Sequence, residues 1–121
     1  IRLKFGRTNN TVYIYSIKMI AKNINNIPNP IPANPERFID RLRAHIRGKN
    51  MSYATEKTYV GWVVRFIRFS HHQHPLSLQD NDISAFLSHL AVTRHCSINT
   101  QKVALNAIVF MYRSFLKREV N

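Results

Sequence analysis

Residues 52–70 read SYATEKTYVGWVVRFIRFS, and the spacing of their apolar side chains predicts a long helix, α2, over residues 53–70. When the residues are placed at 100° steps, one face is apolar and should be buried; it carries Tyr59, Val63, Phe66 and Ile67. The opposite face carries Lys57, Gly61, Arg65 and Arg68. Ser52 stands directly before the helix, where a serine hydroxyl accepts from first-turn backbone N–H groups. The stretch therefore predicts an amphipathic helix with a core face and a basic face.

Three further helices are predicted around α2. Helix α1 opens at Pro35 and Glu36 and ends at Gly48, with a buried face of Phe38, Ile39, Leu42 and Ile46. Helix α3 covers residues 79–93, with Asp80 and Asp82 at its positive end and a buried stripe of Ile83, Phe86, Leu87 and Leu90. Ser97 caps α4, over residues 98–117. The predicted fold is an all-α, four-helix bundle.

Helix α4 divides into two faces as α2 does. Its predicted buried stripe consists of Leu105, Ile108, Val109, Tyr112 and Leu116. Its polar side chains gather in one narrow sector, which contains Asn99, Lys102, Asn106, Arg113 and Lys117. Both helices are apolar over more than half their circumference, because further large side chains lie off the main stripes: Trp62, Phe69, Phe110, Met111 and Phe115. We expect a second buried contact there.

Residues 1–35, the leader, differ in composition from the helical part. They carry five basic and no acidic residues, and four prolines lie within residues 28–35. Proline removes a backbone donor and biases the preceding residue away from helix. We therefore predict a flexible, disordered leader over 1–35 and a helical domain over 36–121. A real edge strand or arm over Thr11–Ile17 is the alternative, because that segment is rich in β-branched and aromatic residues.

The charge balance predicts a polyanionic partner. The chain has 18 Lys and Arg against 6 Asp and Glu, a formal charge of +12 on 121 residues. Nucleic acid is the first candidate and an anionic membrane surface the second, although the apolar runs are far shorter than a membrane span. The single cysteine, Cys96, excludes an internal disulfide and a Cys-based zinc finger. No signal peptide is recognisable, so a cytoplasmic location is expected.

Two features make the outer faces of α2 and α4 the candidate DNA-binding surface. Neither face contains an acidic residue, whereas exposed helix faces normally mix signs. Both helices also open with Ser-x-x-Thr, which places hydroxyls and free N–H groups at a positive helix end. The expected contact residues are Ser52, Thr55, Lys57, Arg65, Arg68, Asn99, Thr100, Lys102, Asn106, Arg113 and Lys117. An ordinary solvated face with ordinary N-caps is the alternative interpretation.

The segment from Glu36 to Lys117 resembles the core-binding, SAM-like domain of phage-integrase-type tyrosine recombinases, and most closely that of integron integrases. The resemblance is carried by FIDRLRAHIRGKNMSYATEKTYVGWVVRFIRF and HPLSLQDNDISAFLSHLAVTRHCSINTQKVALNAIVFMYRSFL. Within them, Ser52-x-x-Thr55-x-x-x-Tyr59-x-x-x-Val63-x-x-Phe66 matches the family's second helix. Thr100-x-x-x-x-Leu105-x-x-Ile108-x-x-x-Tyr112 matches its fourth. The linker His74-Pro75, followed by a helix with Phe86-Leu87-x-x-Leu90-Ala91, resembles the corresponding region of the integron integrases.

The resemblance implies one jaw of a clamp around a recombination half-site, with α2 and α4 against the major groove. It also implies DNA contacts for Ser52, Thr55, Thr100, Gln101 and Lys102. Members of this family continue into a catalytic domain with two arginines, a lysine, histidines and a tyrosine nucleophile, so strand cleavage is not expected of these residues. The implied partners are recombination-site DNA, the catalytic domain and other protomers of the assembly. The leader has no counterpart in the family.

Other functions are weighed against this one. A free-standing helix-turn-helix regulator would need a short recognition helix and usually a dimer. If the domain is instead a protein-interaction bundle whose charge is incidental, neither basic face should bind DNA. His71, His72 and His74 could bind a metal, but a loop without nearby carboxylates favours a surface or DNA-proximal role. No cofactor or metal is expected, and Tyr59 and Tyr112 are expected in the core.

Overall fold

The computed structural model describes residues 28–120, which form four helices and no strand. Their bounds are α1 Phe38–Gly48, α2 Tyr53–Phe69, α3 Asp80–Ser88 and α4 Ile98–Phe110. Helices α3 and α4 continue into π-helical turns, His89–Thr93 and Met111–Phe115, and a 3₁₀ turn spans Pro75–Ser77. The all-α, four-helix prediction is confirmed. The part of the predicted leader over residues 1–27, including the alternative strand, lies outside the described residues.

Helices α2 and α4 form the centre of the bundle, where they pack against each other more extensively than any other pair. The fully buried side chains of α2 are Val60, Val63, Phe66 and Ile67. Helix α1 covers this pair with Leu42 and Ile46, and α3 covers it with Ile83 and Phe86. Phe86 packs against the rings of Trp62, Phe66 and Phe69. Part of the large apolar surface predicted beyond the main stripes is therefore buried inside the domain itself.

The buried face of α4 differs from the prediction by about one residue. Ile108 and Tyr112 are fully buried as expected, but Leu105 is 36 % exposed, while Ala104, Ala107 and Met111 are fully buried. The prediction for Leu105 is therefore wrong, and Val109 and Leu116 are only half-buried. The physical reason is close packing, because small residues let two helix backbones approach. A similar difference occurs in α2, where Tyr59 is half-buried and Val60 is fully buried.

An ionic cluster joins α1, α2 and the described end of the leader. The guanidinium of Arg43 is fully buried and lies 3.2 Å from both Asp40 and Glu56. Arg47 donates to the two oxygens of Glu56 at 2.7 and 3.0 Å. Because paired, hydrogen-bonded charges tolerate burial, the cluster can sit beneath the surface of the bundle.

The same two arginines hold the backbone ahead of α1. Arg43 donates to the carbonyls of Asn29 at 2.8 Å and Pro30 at 3.3 Å, and Arg47 donates to Asn29 at 2.6 Å. Residues 29 and 30 therefore contact the helical bundle, although they belong to the predicted leader. Helix α1 itself begins at Phe38, two residues after Glu36. The domain boundary between residues 35 and 36 stays a prediction.

The helices end on left-handed residues that are not glycine. These residues are Asn50, His71, His72, His95 and Lys117, with φ between 54° and 60°. Gly48 is the last residue of α1, as predicted, but Asn50 makes the left-handed turn, a conformation that asparagine tolerates well. Among the helices of residues 28–120, none has the length and hydropathy needed to cross a membrane.

Candidate nucleic-acid interface

The amino-terminal ends of α2 and α4 have the same capping geometry. The backbone N–H of Thr55 donates to the Ser52 hydroxyl at 3.1 Å, and that of Thr100 donates to the Ser97 hydroxyl at 3.1 Å. In both caps the serine hydroxyl donates to the threonine hydroxyl at 3.0 Å. The repeated Ser-x-x-Thr motif therefore produces one local structure twice.

These caps leave donors facing outward. One hydrogen bond between the two hydroxyls of each cap uses one of their two protons, so the other proton can be donated to an external acceptor. The first backbone N–H groups of a helix also have no intrahelical partner. Ser52 and Ser97 are exposed, and Thr55 and Thr100 are half-exposed. Both helix ends can therefore donate to an anion, and the helix dipole favours negative charge at that position.

The outer face of α4 lies opposite the buried alanines. Its predicted contact residues are all exposed: Asn99, Lys102, Asn106 and Arg113, with Lys117 just beyond the last turn. Lys102 forms no ion pair within residues 28–120. Three apolar side chains are also exposed on this helix, Ile98 at 64 %, Val103 at 38 % and Leu105 at 36 %. The face therefore presents amide, ammonium and apolar groups together.

Two of the predicted α4 residues are engaged elsewhere. Arg113 pairs with Glu119 at 3.3 Å and donates to the Val120 carbonyl at 2.9 Å. Although the α4 face itself contains no acidic residue, Arg113 is therefore ion-paired, because Glu119 follows the helix and folds back on it. The Gln101 amide donates to the Cys96 carbonyl at 3.0 Å, so it supports the loop before α4.

Two basic residues on the outer side of α2, Lys57 and Arg65, lie over aromatic rings. Arg65 is exposed and its guanidinium lies 4.7 Å from the centre of the Trp62 ring. The Lys57 ammonium lies 5.2 Å from the Tyr53 ring. Arg68 is also exposed. Contacts of this kind orient a cation while leaving its N–H groups available to an anion.

A groove runs between the second half of α2, the end of α3 and the loop that follows. Its lining is rich in arginine, histidine and aromatic side chains and includes no carboxylate: Trp62, Arg65, Arg68, Phe69, His72, Phe86, His89, Leu90, Arg94 and Cys96. Arg94, which ends the π-helical turn of α3, is absent from the sequence-based site. The feature of the sequence that could have identified Arg94 is its basic side chain in the loop before the Ser97 cap.

This groove connects the two predicted surfaces. Cys96 lies in its wall, and the next residue, Ser97, caps α4. The loop is fixed by two hydrogen bonds, from the Cys96 N–H to the Leu90 carbonyl at 2.9 Å and from Gln101 to Cys96. Arg65, Arg68 and Arg94 therefore line a groove that extends to Cys96, the residue before the α4 cap. The groove thus connects the basic side of α2 with the residue that precedes the α4 cap.

The three loop histidines do not form a joint site. The Nδ1 atom of His74 accepts from the Leu76 N–H at 3.0 Å, and its ring packs on Phe38. Burial, the Arg68 charge and the His71 charge lower the pKa of His72, which lines the groove. Across residues 28–120, no three His, Cys, Asp or Glu side chains are grouped as a metal site.

Tyr112 is committed to the core. It is fully buried, and its hydroxyl donates to the Pro75 carbonyl at 2.7 Å. Burial raises the pKa of Tyr112 to about 12, and Arg118 lies 4.2 Å from its ring centre. The phenol therefore keeps its proton at physiological pH and stabilises the linker to the end of α4. The core prediction for this residue is confirmed.

Several of the six acidic residues of the chain lie away from the α2 and α4 outer faces. Asp40 and Glu56 belong to the buried ionic cluster. Asp82 accepts from the Gln79 N–H at 2.7 Å and so caps α3. Asp80 lines a surface depression with Arg118. Glu119 borders the same depression but also pairs with Arg113 of the α4 outer face. The groove lining therefore includes no carboxylate, whereas Arg113 on the outer face of α4 is paired with Glu119.

Comparisons with known proteins agree with this architecture. Residues 38–121 match the family model described as phage integrase, N-terminal SAM-like domain. Two relatives named integrase/recombinase, one from Escherichia coli and one from Pseudomonas aeruginosa, are each 41 % identical over 85 residues. The matched region covers 70 % of this chain and 25 % of each relative. The chain therefore spans about a quarter of the length of the curated relatives it matches.

Proposed function

Because the chain belongs to the phage integrase N-terminal SAM-like domain family, we propose that it binds duplex DNA as one jaw of a recombinase clamp. The observation that carries this proposal is the meeting of the basic groove with the capped end of α4, whose outer face lacks acidic residues. Arg65, Arg68 and Arg94 bring positive charge to that place. The Ser97 cap adds hydroxyl and backbone donors.

The chemistry of this surface suits a nucleic-acid backbone. Arginine and lysine neutralise phosphates, and helix amino-terminal ends bind phosphate oxygens through free N–H groups. The major groove is wide enough to admit a helix. In the proposed complex α4 lies in the major groove, with Lys102 toward the backbone, while the α2 arginines contact the flanking phosphates. Arg113 contributes less, because Glu119 offsets its charge.

The proposal extends to the complete recombinase. We propose that the parent protein is an integron integrase, which the His74-Pro75 linker and the motifs of α2 and α4 support. Strand cleavage is assigned to a catalytic domain outside these residues, and that domain, other protomers and recombination half-site DNA are the partners. The domain would then act in the cytoplasm, where it associates with nucleoid DNA.

The direct test reverses one charge on the α4 face. We expect Lys102→Glu to weaken binding of a fluorescent duplex of about 20 base pairs by about tenfold at about 50 mM salt, since an attraction to phosphate becomes a repulsion. Adding Arg113→Glu should weaken it further by a smaller factor. Both variants should keep the thermal midpoint of the parent chain, because both side chains are exposed. Fluorescence anisotropy measures the affinity.

A matched control separates position from total charge. Arg37→Glu makes the same charge change on an exposed residue at the start of α1, away from the capped end of α4. It should change the affinity less than twofold. Equal losses in Lys102→Glu and Arg37→Glu would mean that only net charge matters and would contradict the assignment of α4.

A further inference from the structure

A row of three exposed side chains lies along the outer face of α4. Asn99, Val103 and Asn106 are spaced four and three residues apart, so they are neighbours on one side of the helix. All three are exposed, Val103 at 38 %. Lys102 lies beside the row, and Ala104 and Ala107 face the core. Val103 belongs neither to the buried core of residues 28–120 nor to the partly buried side chains packed against that core.

The chemistry of this row matches one kind of base pair. We infer that Asn99, Val103 and Asn106 make α4 prefer A·T base pairs in the major groove, an inference that rests on the proposed function. An asparagine amide pairs bidentately with the N6 and N7 atoms of adenine, and an apolar side chain contacts the C5 methyl group of thymine. Guanine offers two acceptors instead, and cytosine has no methyl group.

The dimensions of the row are compatible with this reading. Asn99 and Asn106 are seven residues apart, which is about 10 Å along an α-helix. Base pairs are spaced about 3.4 Å apart, so the row spans about three steps. No acidic residue lies in the row, and Lys102 beside it can reach a phosphate and hold the helix in register. The row therefore reads a short A·T-containing stretch while its neighbours bind the backbone.

The test compares three defined duplexes that differ in one feature at a time. Alternating dA-dT, dA-dU and dG-dC duplexes of equal length are bound to the full chain at one salt concentration. The dA-dU duplex lacks only the thymine methyl groups. We expect the affinity to fall about fourfold from dA-dT to dA-dU, as for loss of one buried methyl contact, and further for dG-dC.

Two variants assign the preference to the row. In Val103→Ala the difference between dA-dT and dA-dU should disappear, because the methyl contact is lost from the protein side. The matched control is Val92→Ala, which truncates a valine that is 73 % exposed at the end of α3, and it should keep the full difference. Asn106→Ala should reduce the preference for dA-dT over dG-dC by about tenfold.

The outcomes are distinguishable. A fourfold methyl effect that Val103→Ala removes and Val92→Ala retains supports the inference. Equal, salt-dependent binding of all three duplexes overturns the inference and leaves the proposed function standing. A methyl effect that persists in Val103→Ala also overturns it, since the effect then comes from duplex shape. Failure to bind any duplex overturns the proposed function and the inference together.

Discussion

Arg43 and Lys102 carry the same charge in opposite surroundings. Arg43 is fully buried between Asp40 and Glu56, and its remaining donors reach two backbone carbonyls. Lys102 is exposed on α4 and has no ion pair within the described part of the chain. The first arrangement satisfies a charge internally, and the second leaves it available to an external anion.

The comparison shows that the net charge of +12 does not indicate which basic residues are paired inside the protein and which are exposed to a partner. Arg43 and Arg47 share the buried carboxylate of Glu56, and Arg43 also pairs with the buried Asp40. The acids used there are unavailable to the outer faces of α2 and α4. The ionic cluster therefore helps to leave those faces basic, in addition to joining α1 to α2.

Removing the shared acid of the cluster should have the largest effect. Glu56→Gln leaves Arg43 and Arg47 without their common counter-charge, one of them fully buried, and we expect a loss of about 3–5 kcal/mol in the free energy of unfolding. Urea denaturation followed by circular dichroism measures it. Glu36→Gln, at an exposed acid before α1, is the control and should change stability by less than about 0.5 kcal/mol. A similar small change in Glu56→Gln would show that the buried cluster contributes little.

Raising the salt concentration should weaken DNA binding by the exposed cations but leave the buried cluster almost unchanged, an effect smaller than that of Glu56→Gln. If Lys102 and the two exposed arginines of α2 each neutralise one phosphate, raising the salt from about 50 to about 200 mM lowers the DNA association constant about 40-fold. The buried cluster is poorly screened, so the unfolding free energy should change by less than about 0.5 kcal/mol over the same range. Parallel titrations of DNA binding and of unfolding measure both. A flat DNA-binding curve would contradict a role for these cations in phosphate contact.

Releasing Arg113 should give the smallest effect. Glu119→Gln removes the partner of an exposed ion pair whose two side chains are 53 % and 87 % exposed. Such pairs contribute little to stability, so the thermal midpoint should stay the same. We expect DNA affinity to rise about twofold, because the α4 face then carries an unopposed arginine. Glu36→Gln again serves as the control, and an equal rise in that variant would assign the gain to net charge alone.

The helices could be predicted from sequence because their information is local. Apolar spacing and the Ser52 and Ser97 caps place α2 and α4 at their observed starts, Tyr53 and Ile98. The buried side of α4 was less predictable. Leucine scores higher than alanine on any hydrophobic scale, yet Ala104 and Ala107 are the residues that allow close contact with the bundle. The distance between packed helices depends on the tertiary structure, and the spacing of apolar residues along one helix does not determine it.

The candidate site divides in the same way. The exposure of Asn99, Lys102 and Asn106 follows from the helical period of α4 and was predicted. The Glu119 contact of Arg113 and the position of Arg94 in the groove depend on how segments fold back after a helix ends. Gln101 shows a third case, because its amide is used by a loop carbonyl five residues earlier. DNA contact by the twelve predicted residues stays a prediction.

The hydrogen bonds from Arg43 and Arg47 to residues 29 and 30 determine how far the chain can be trimmed. A shortened chain starting at Phe38, where the family match begins, would lose both acceptor carbonyls. The guanidinium of a completely buried arginine would then face either an empty space or intruding water. A minimal version for crystallography or titration should therefore retain Asn29, nine residues ahead of the first helical turn.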